Sequence, residues 1–421
     1  MSSPLNLIAC HECDLLQRAI TLPPGGVARC VRCGGKLYRS SSSSVDTTLA
    51  IAVTAVLVFI FTNAYPIVGL QIQGIRNDTT LFGAVQALWH QEMRSISSLV
   101  CFTTIIAPAM ELAFILHLLL AVKSGRTPAG LNVIMRMLNF VNPWGMVEVF
   151  MLGVLVALVK LTHFASVIPG LALWSFGVLT LLLAATAASF DVHDVWARVC
   201  PMGRGGGSGG EMPAVASTGT LLSCHVCGLL SRAPRTGVAY HCPRCSAELH
   251  FRKPDSVSRS WALLIAACIM YVPANLLPIM ETGSLFGSQD DTILSGVIYL
   301  WHSGSWDLAL VVFIASIMVP LLKLIALTLL LVSVQRRSVR LLVQRTKLYR
   351  MVELIGRWSM LDVYVVTILA ALVQIGSLAT IKAGPGAIAF GAVVVLTMFA
   401  AMEFDPRLIW DPIAKERPEH E

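Results

Sequence analysis

The sequence predicts an all-α polytopic membrane protein, a tandem repeat of two modules, each a small β zinc ribbon followed by a four-helix transmembrane bundle. Three observations lead there: 56% apolar against 13% charged residues, eight long apolar runs, and four CxxC pairs forming two matching quartets. Soluble domains carry about 45–50% apolar and about 25% charged residues, so the composition is that of a chain immersed in lipid. The implied domains are ribbon one at 1–45, bundle one at 46–199, a flexible linker at 200–220, ribbon two at 221–257, and bundle two with the C-terminal tail at 258–421.

Ribbon one is polar and cysteine-rich. The spacing Cys10-x2-Cys13-x16-Cys30-x2-Cys33 brings two knuckles together across a short hairpin. Four thiolates then meet in a tetrahedron, the closed geometry of a structural zinc site. A segment of about 40 residues buries too little surface to fold alone, so bound metal supplies most of its folding free energy. Iron accepts the same ligands, and spacing does not separate the two metals. A thioredoxin-type dithiol is disfavoured, because no CxxC opens a helix in a βαβ unit. His11 and His225 lie inside knuckles whose shells four thiolates already complete. Arg18, Arg29, Arg32, Lys36, Arg232, Arg235 and Arg244 surround the sites, as a topology signal or as contacts for anionic headgroups.

Bundle one holds apolar runs at about 47–68, 96–121, 144–166 and 170–189, each near the ~20 residues that cross a bilayer. No signal peptide is expected, and the first run serves as insertion signal. "NAYPI" (63–67) ends that run with a helix stop, and Trp89-His90 anchor the start of the second at the interface. Pro108 lies mid-span and predicts a kink. Glu111 lies close by, where an ionisable group costs at least ~2.5 kcal/mol and so faces a bundle interior or an aqueous cavity. Glu148 opens the third span; Lys160 and His163 close it by snorkelling to the far interface. Cys101, Cys200 and Cys268 read as small buried or linker residues.

Residues 200–220, "CPMGRGGGSGGEMPAVASTGT", form a Gly/Ser-rich tether. Beyond it a shift of 212–214 residues superposes the chain on itself. Ribbon two repeats the quartet as Cys224-x2-Cys227-x14-Cys242-x2-Cys245, and bundle two places runs at about 259–280, 308–334, 358–381 and 385–403. "NAYPI" falls on "NLLPI", "LWH" on "LWH", Pro108 on Pro320, and Trp144, Met146 and Glu148 on Trp358, Met360 and Asp362. Four spans is an even number, so both modules insert the same way up, about a pseudo-two-fold axis along the membrane normal. The copies disagree most at Glu111 against Lys323. The nearest candidate partner of Lys323 is Asp362, with Ser359 and Thr397 completing a polar cluster. That cluster is either a static ion pair or a titratable group coupling proton movement to conformational change. The loop 335–357 is basic with an apolar stripe, suiting a helix lying on anionic lipid.

Of the 31 Lys and Arg, all but Arg76, Arg94 and Lys382, in the opposite loops, and Lys160 and Lys323, within spans, fall in the termini, the linker and the loops after the second and sixth spans. The positive-inside rule then puts both ribbons and both termini in the cytoplasm, where disulfides do not persist. The net charge of +7 is thus a topology signal rather than a nucleic-acid footprint. No nucleotide-binding loop, nucleophile elbow or dinucleotide fingerprint occurs, so an enzyme is not expected.

The duplicated CHxCxLLxR knuckles, each leading a four-span module with NxxP and LWH, resemble the paraquat-inducible protein A family of Gram-negative inner membranes, over 10 to about 410. The resemblance implies a zinc-ribbon protein of the inner membrane working with an MCE-domain partner whose periplasmic tube bridges towards the outer membrane, the pair moving phospholipid. It also implies that the eight ribbon cysteines are the metal ligands and that Lys323, Asp362 and Thr397 form the polar cluster of the second bundle. Asp14 and Ser246 stand where such knuckles often carry glycine, which predicts looser hydrogen bonds to the sulfurs. The competing classes are a membrane redox protein passing electrons from four-cysteine iron to quinone, and a non-transporting scaffold.

Overall fold

The apolar runs become helices because lipid offers no partner for a backbone N–H or C=O, so each run must satisfy its own. The structure is a computed structural model that describes residues 7–23, 25–39, 44–72, 75–125, 130–162, 166–190, 195–196, 220–233, 240–284, 287–304, 306–372, 374–375 and 379–415. Among these, seven helices are long and apolar enough to cross a membrane: Val45–Ala64, Arg94–Lys123, Leu131–Val159, Leu171–Ser189, Ser256–Leu276, Ala309–Gln335 and Pro385–Glu403. The chain is an integral membrane protein, mostly helical, with small β-hairpins. The expected tether, Thr220 apart, and His163 lie outside the described residues, as does the side chain of Lys160.

One expected span is corrected. The run at 358–381 gives a helix of only 12 residues, Leu361–Leu372, followed by strands Gln374–Ile375 and Ala379–Ala383. At 1.5 Å per residue it is about 18 Å long, short of the ~30 Å hydrocarbon layer, and apolar helices of that length are more often core than spans. Val363, Tyr364, Val365, Val366, Ile368, Leu369 and Leu372 are all buried in a core shared with Phe150, Val154 and Phe176 of the first half. Its apolarity answers to protein on every side.

The helix expected to lie on lipid forms at Leu342–Trp358, but much of its stripe packs on protein. Leu342, Tyr349 and Val352 are buried in a cluster with Leu324, Leu327 and Phe404, whereas Met351, Leu354 and Trp358 stay exposed.

Pro108 and Pro320 follow a π-helical turn rather than a bare kink: Phe102–Ile106 before one, Ile314–Met318 before the other. A proline removes its own N–H and crowds the preceding turn, and the wider turn relieves both. Ala107 N–H reaches Phe102 O, and Val319 N–H reaches Ile314 O. Thr103 and Thr104 hydroxyls return to the Val100 carbonyl at 3.2 and 2.7 Å.

The NxxP segments turn the chain into two small sheets, one in each half. Asn63 Nδ2 donates to Phe59 O and Asn275 Nδ2 to Tyr271 O, both at 2.8 Å. Strands Val68–Ile72 and Met280–Ser284 follow, each central between two antiparallel neighbours. The helix closing each half then starts on the same backbone: Gly170 N donates to Ile67 O and Gly384 N to Ile279 O, both at 2.9 Å. A Cβ on Gly170 would stand 2.1 Å from Pro66 O and one on Gly384 2.3 Å from Pro278 O, so only glycine permits the approach.

The cysteine domains dock crosswise. The first, at 7–39, shares a core with Leu324, Leu330, Tyr349 and Trp410 of the second half. The second, at 220–249, packs on Leu118, Leu131, Met135 and Trp196 of the first.

Candidate functional site

Each CxxC pair lies at the tip of a hairpin: Leu7–Ala9 with Leu16–Arg18, Val27–Arg29 with Lys36–Arg39, Thr220–Ser223 with Leu230–Ala233, and Tyr240–His241 with Glu248–Leu249. The tips face in pairs, and the four sulfurs of each quartet lie within 4.8 Å of one another, all buried. The Cys10–Cys33 and Cys13–Cys30 sulfurs are 3.5 Å apart; Cys224–Cys245 and Cys227–Cys242 are 3.4 and 3.5 Å apart. A tetrahedron of ~2.3 Å metal–sulfur bonds has sulfurs about 3.8 Å apart, so each quartet can hold a metal ion with little rearrangement. The sulfurs also conflict without a cation. Cys10 is pulled down to about 5 by the Cys13 thiol and Cys224 to about 4 by Cys227. Cys13 and Cys227 are driven up by donating to those thiolates, and burial pushes Cys33 and Cys245 up to about 12. A divalent cation removes that conflict, since the thiolate is its ligand.

Asp14 and Ser246 keep the knuckle backbone in the same form as the glycine-bearing knuckles. Both adopt the left-handed φ of their glycine counterparts, 58° and 53° beside 71° at Gly34 and 69° at Gly228. The knuckle bonds are equally short: Asp14 N to Cys10 O 2.9 Å, Gly34 N to Cys30 O 2.9 Å, Gly228 N to Cys224 O 2.9 Å, Ser246 N to Cys242 O 2.8 Å. Aspartate tolerates this region better than most residues, and here its carboxylate meets Arg252 Nη1 at 2.8 Å. Arg252 also binds Asp411. Burial opposes its charge, but the bonds to Asp411 and Asp14 prevail and raise it.

A second site lies between the halves. Lys323 is buried, 3% exposed, and its Nζ has no hydrogen-bond partner among the described residues. It lines a cavity of about 130 Å³ with Asn142 and Pro143 of the first half and Tyr349, Glu353, Gly356 and Met402 of the second. Ser359 is buried, and its hydroxyl too has no partner among the described residues. Thr397 is buried beside the cavity-lining Met398 and bonds to Val394 O at 2.9 Å. The Asp362 side chain, the expected partner of Lys323, lies outside what is described. Glu111, half-buried, approaches Gly145, whose Cβ would meet Glu111 Oε2 at 3.1 Å; Glu148 is exposed. Sequence reasoning missed Asn142, Tyr349 and Glu353, because nothing local marks residues that reach Lys323 only through tertiary packing.

Spanning helices, buried thiolate quartets and a lysine-lined interior cavity define a polytopic membrane protein with two metal-capable domains. A family model described as "Paraquat-inducible protein A" matches residues 45–200 and again 257–414, and the chain belongs to that family. It is 34% identical to the "Intermembrane transport protein PqiA" of Escherichia coli (strain K12), over 98% of this chain and 97% of that protein. It is 33% identical to the "Lipophilic envelope-spanning tunnel protein A" of the same strain, over 96% and 90%. A "Probable intermembrane transport protein" of Haemophilus influenzae is 28% identical over 99% and 98%. No solved structure matches.

Proposed function

We propose that this protein is the inner-membrane component of an intermembrane phospholipid transport system and works with a periplasm-spanning MCE-domain partner. The names of its relatives, intermembrane transport protein and envelope-spanning tunnel protein, support transport between membranes. The observation that carries a role for this chain is Lys323, a buried amine lining a cavity shared by both halves. Burying a charge that only holds helices together is costly, whereas one at a cavity can meet cargo or a proton. Lys323, Asp362, Thr397 and Ser359 form the gating cluster in this reading, with Glu111 and Glu148 as the acidic counterparts in the first half. The reading also takes the chain as a tandem repeat with the domain boundaries set out above, both cysteine domains being cytoplasmic zinc ribbons whose ligands are Cys10, Cys13, Cys30 and Cys33, and Cys224, Cys227, Cys242 and Cys245. Two family matches of similar length and crosswise packing of like elements support the duplication.

The test is co-purification from cells followed by lipid mass spectrometry and elemental analysis. An MCE-domain partner, bound phospholipid and two zinc ions per chain are expected. Lys323→Ala should abolish envelope function at normal protein level; full complementation would remove the gating role. Iron with a visible absorbance band would instead support the redox class.

A further inference from the structure

The two hairpins of the N-terminal cysteine domain form separate two-stranded sheets, with no strand pairing between them. What joins them is the sulfur cluster, helped by Gln17, which donates to Cys30 Sγ and accepts from Val31 N, and by the Tyr38 hydroxyl, which bonds both the N–H and the carbonyl of Ile20. Arg350, on the helix Leu342–Trp358, grips both at once. Its Nε donates to the two Glu12 oxygens at 2.8 and 2.9 Å, and its Nη2 donates to Glu12 Oε2 and, at 2.9 Å, to the Cys33 carbonyl. Glu12 belongs to the first knuckle and Cys33 to the second, and Glu12 Oε2 is 3.5 Å from Cys33 Sγ. Gly35 leaves the room: a Cβ there would stand 2.8 Å from Glu12 Oε2 and 3.0 Å from Arg350 Nη2. Two more contacts fasten the same domain to the same half. Arg32 lies 4.5 Å over the Trp410 ring, whose Nε1 donates to Thr346 on the gripped helix at 3.0 Å. Arg252 ties Asp14 to Asp411.

The gripped helix is also a wall of the Lys323 cavity, through Tyr349, Val352, Glu353 and Gly356. The second cysteine domain holds the other half instead. Arg136, on Leu131–Val141, donates to the Cys245 and Ser246 carbonyls at 3.0 and 2.9 Å, and Arg244 lies 5.6 Å over Trp196.

We propose that the N-terminal quartet is a regulatory metal site acting across the molecule: its metal fixes the two knuckles at the spacing Arg350 requires, and so holds Leu342–Trp358 against the Lys323 cavity. Loss of that metal lets the hairpins part, separates Glu12 from the Cys33 carbonyl and frees the cavity wall. The C-terminal quartet is fastened to Leu131–Val141 through a single knuckle, at the Cys245 and Ser246 carbonyls. Glu12 and Arg350 are positioning residues; neither lines the cavity. The functional meaning rests on reading the Lys323 cavity as the transport site, but the mechanical coupling is tested without a transport assay.

The experiment is hydrogen-exchange mass spectrometry on the full chain in lipid nanodiscs, with metal content measured on the same samples. Cys33→Ser should lose one of two metals, and Glu12→Gln should keep both. Each should speed exchange in 342–358 at least about tenfold, as expected when charge-assisted bonds at a part-buried site are lost, and leave 131–141 within about twofold of the unmodified chain. Cys245→Ser should show the reverse pattern. The proposal is overturned if Glu12→Gln leaves 342–358 protected, or if Cys33→Ser speeds both helices equally or neither. A failed Lys323→Ala transport test would leave these exchange results standing, so the two readings fail separately.

Discussion

Gly153→Ala should destabilise this protein although it replaces the second-worst helix former with the best. In a free helix the change gains about 1 kcal/mol. Here Gly153 faces Leu361–Leu372 across the contact between halves, and a Cβ would land 2.9 Å from Tyr364 Cβ and 3.5 Å from Leu361 O. Carbon atoms sit comfortably at ~3.5–4.0 Å, so the helices must separate by the better part of an ångström. Tyr364 has nowhere to go. It is fully buried, its hydroxyl donates to Thr103 Oγ1 at 2.9 Å, and its ring lies edge-on to Phe150 at 5.3 Å. Overpacking costs ~1–3 kcal/mol and a strained tyrosine bond about 1 kcal/mol more, so the net loss is ~1–3 kcal/mol after the helix gain. The assay is thermal unfolding of the purified full chain in detergent. Gly177→Ala is the control, because its Cβ would meet only the flexible Met151 Cε at 3.8 Å; it should be neutral or stabilising. If Gly153→Ala melts no lower than Gly177→Ala, the close packing of the two halves at this point is wrong.

Two further outcomes follow from buried charges. Burial opposes ionisation of Asp405, but Arg407 bonds it at 3.0 and 2.9 Å and the Lys253 N–H at 3.2 Å, so its carboxyl is held below the ordinary value. A depressed carboxyl contributes stability present above the unfolded pKa of about 3.9 and lost as pH falls through the lower folded value. Asp405→Asn should therefore cost ~1–3 kcal/mol at neutral pH and flatten the acid limb of a melting-temperature profile; an unchanged limb would show that Asp405 is not its source. Lys323→Met keeps the shape while removing a buried amine without a hydrogen-bond partner among the described residues. Melting should hold or rise, by up to ~1–3 kcal/mol, while envelope function is lost. A marked fall would reveal a partner, Asp362 being the candidate.

Span positions were legible because hydropathy and the lipid's demand for closed backbone hydrogen bonds act locally. Seven apolar runs fall on long helices to within a few residues at most ends. The run containing Leu361–Leu372 misled because burial against the other half and immersion in lipid select the same residues. The quartets were legible from spacing alone, since metal geometry fixes it. Arg350 with Glu12, 338 positions apart, left no local trace: the arginine read as one more basic residue near a membrane surface. Asn142 at the cavity was hidden for the same reason. Pro108 announced a defect, but only neighbouring carbonyls and threonines could say whether it was a kink or a π turn.

Crosswise docking makes each half incomplete alone, and this yields a last prediction. The first half carries the cysteine domain that Tyr349 and Trp410 cover in the second; the second carries the one that Leu131, Met135 and Trp196 cover in the first. The main core draws on both, with Phe150 and Val154 against Tyr364 and Val365. Covalent connection adds little to such an interface beyond raising the effective concentration of one half near the other. Cutting the chain between 210 and 211 and co-expressing the pieces should therefore yield a complex that co-purifies with both metals. Either piece expressed alone should fail to accumulate, since it leaves one cysteine domain undocked and an apolar face uncovered. A single half that accumulates, binds its metal and melts cooperatively would show that each module is self-sufficient, and the crosswise contacts would then be secondary.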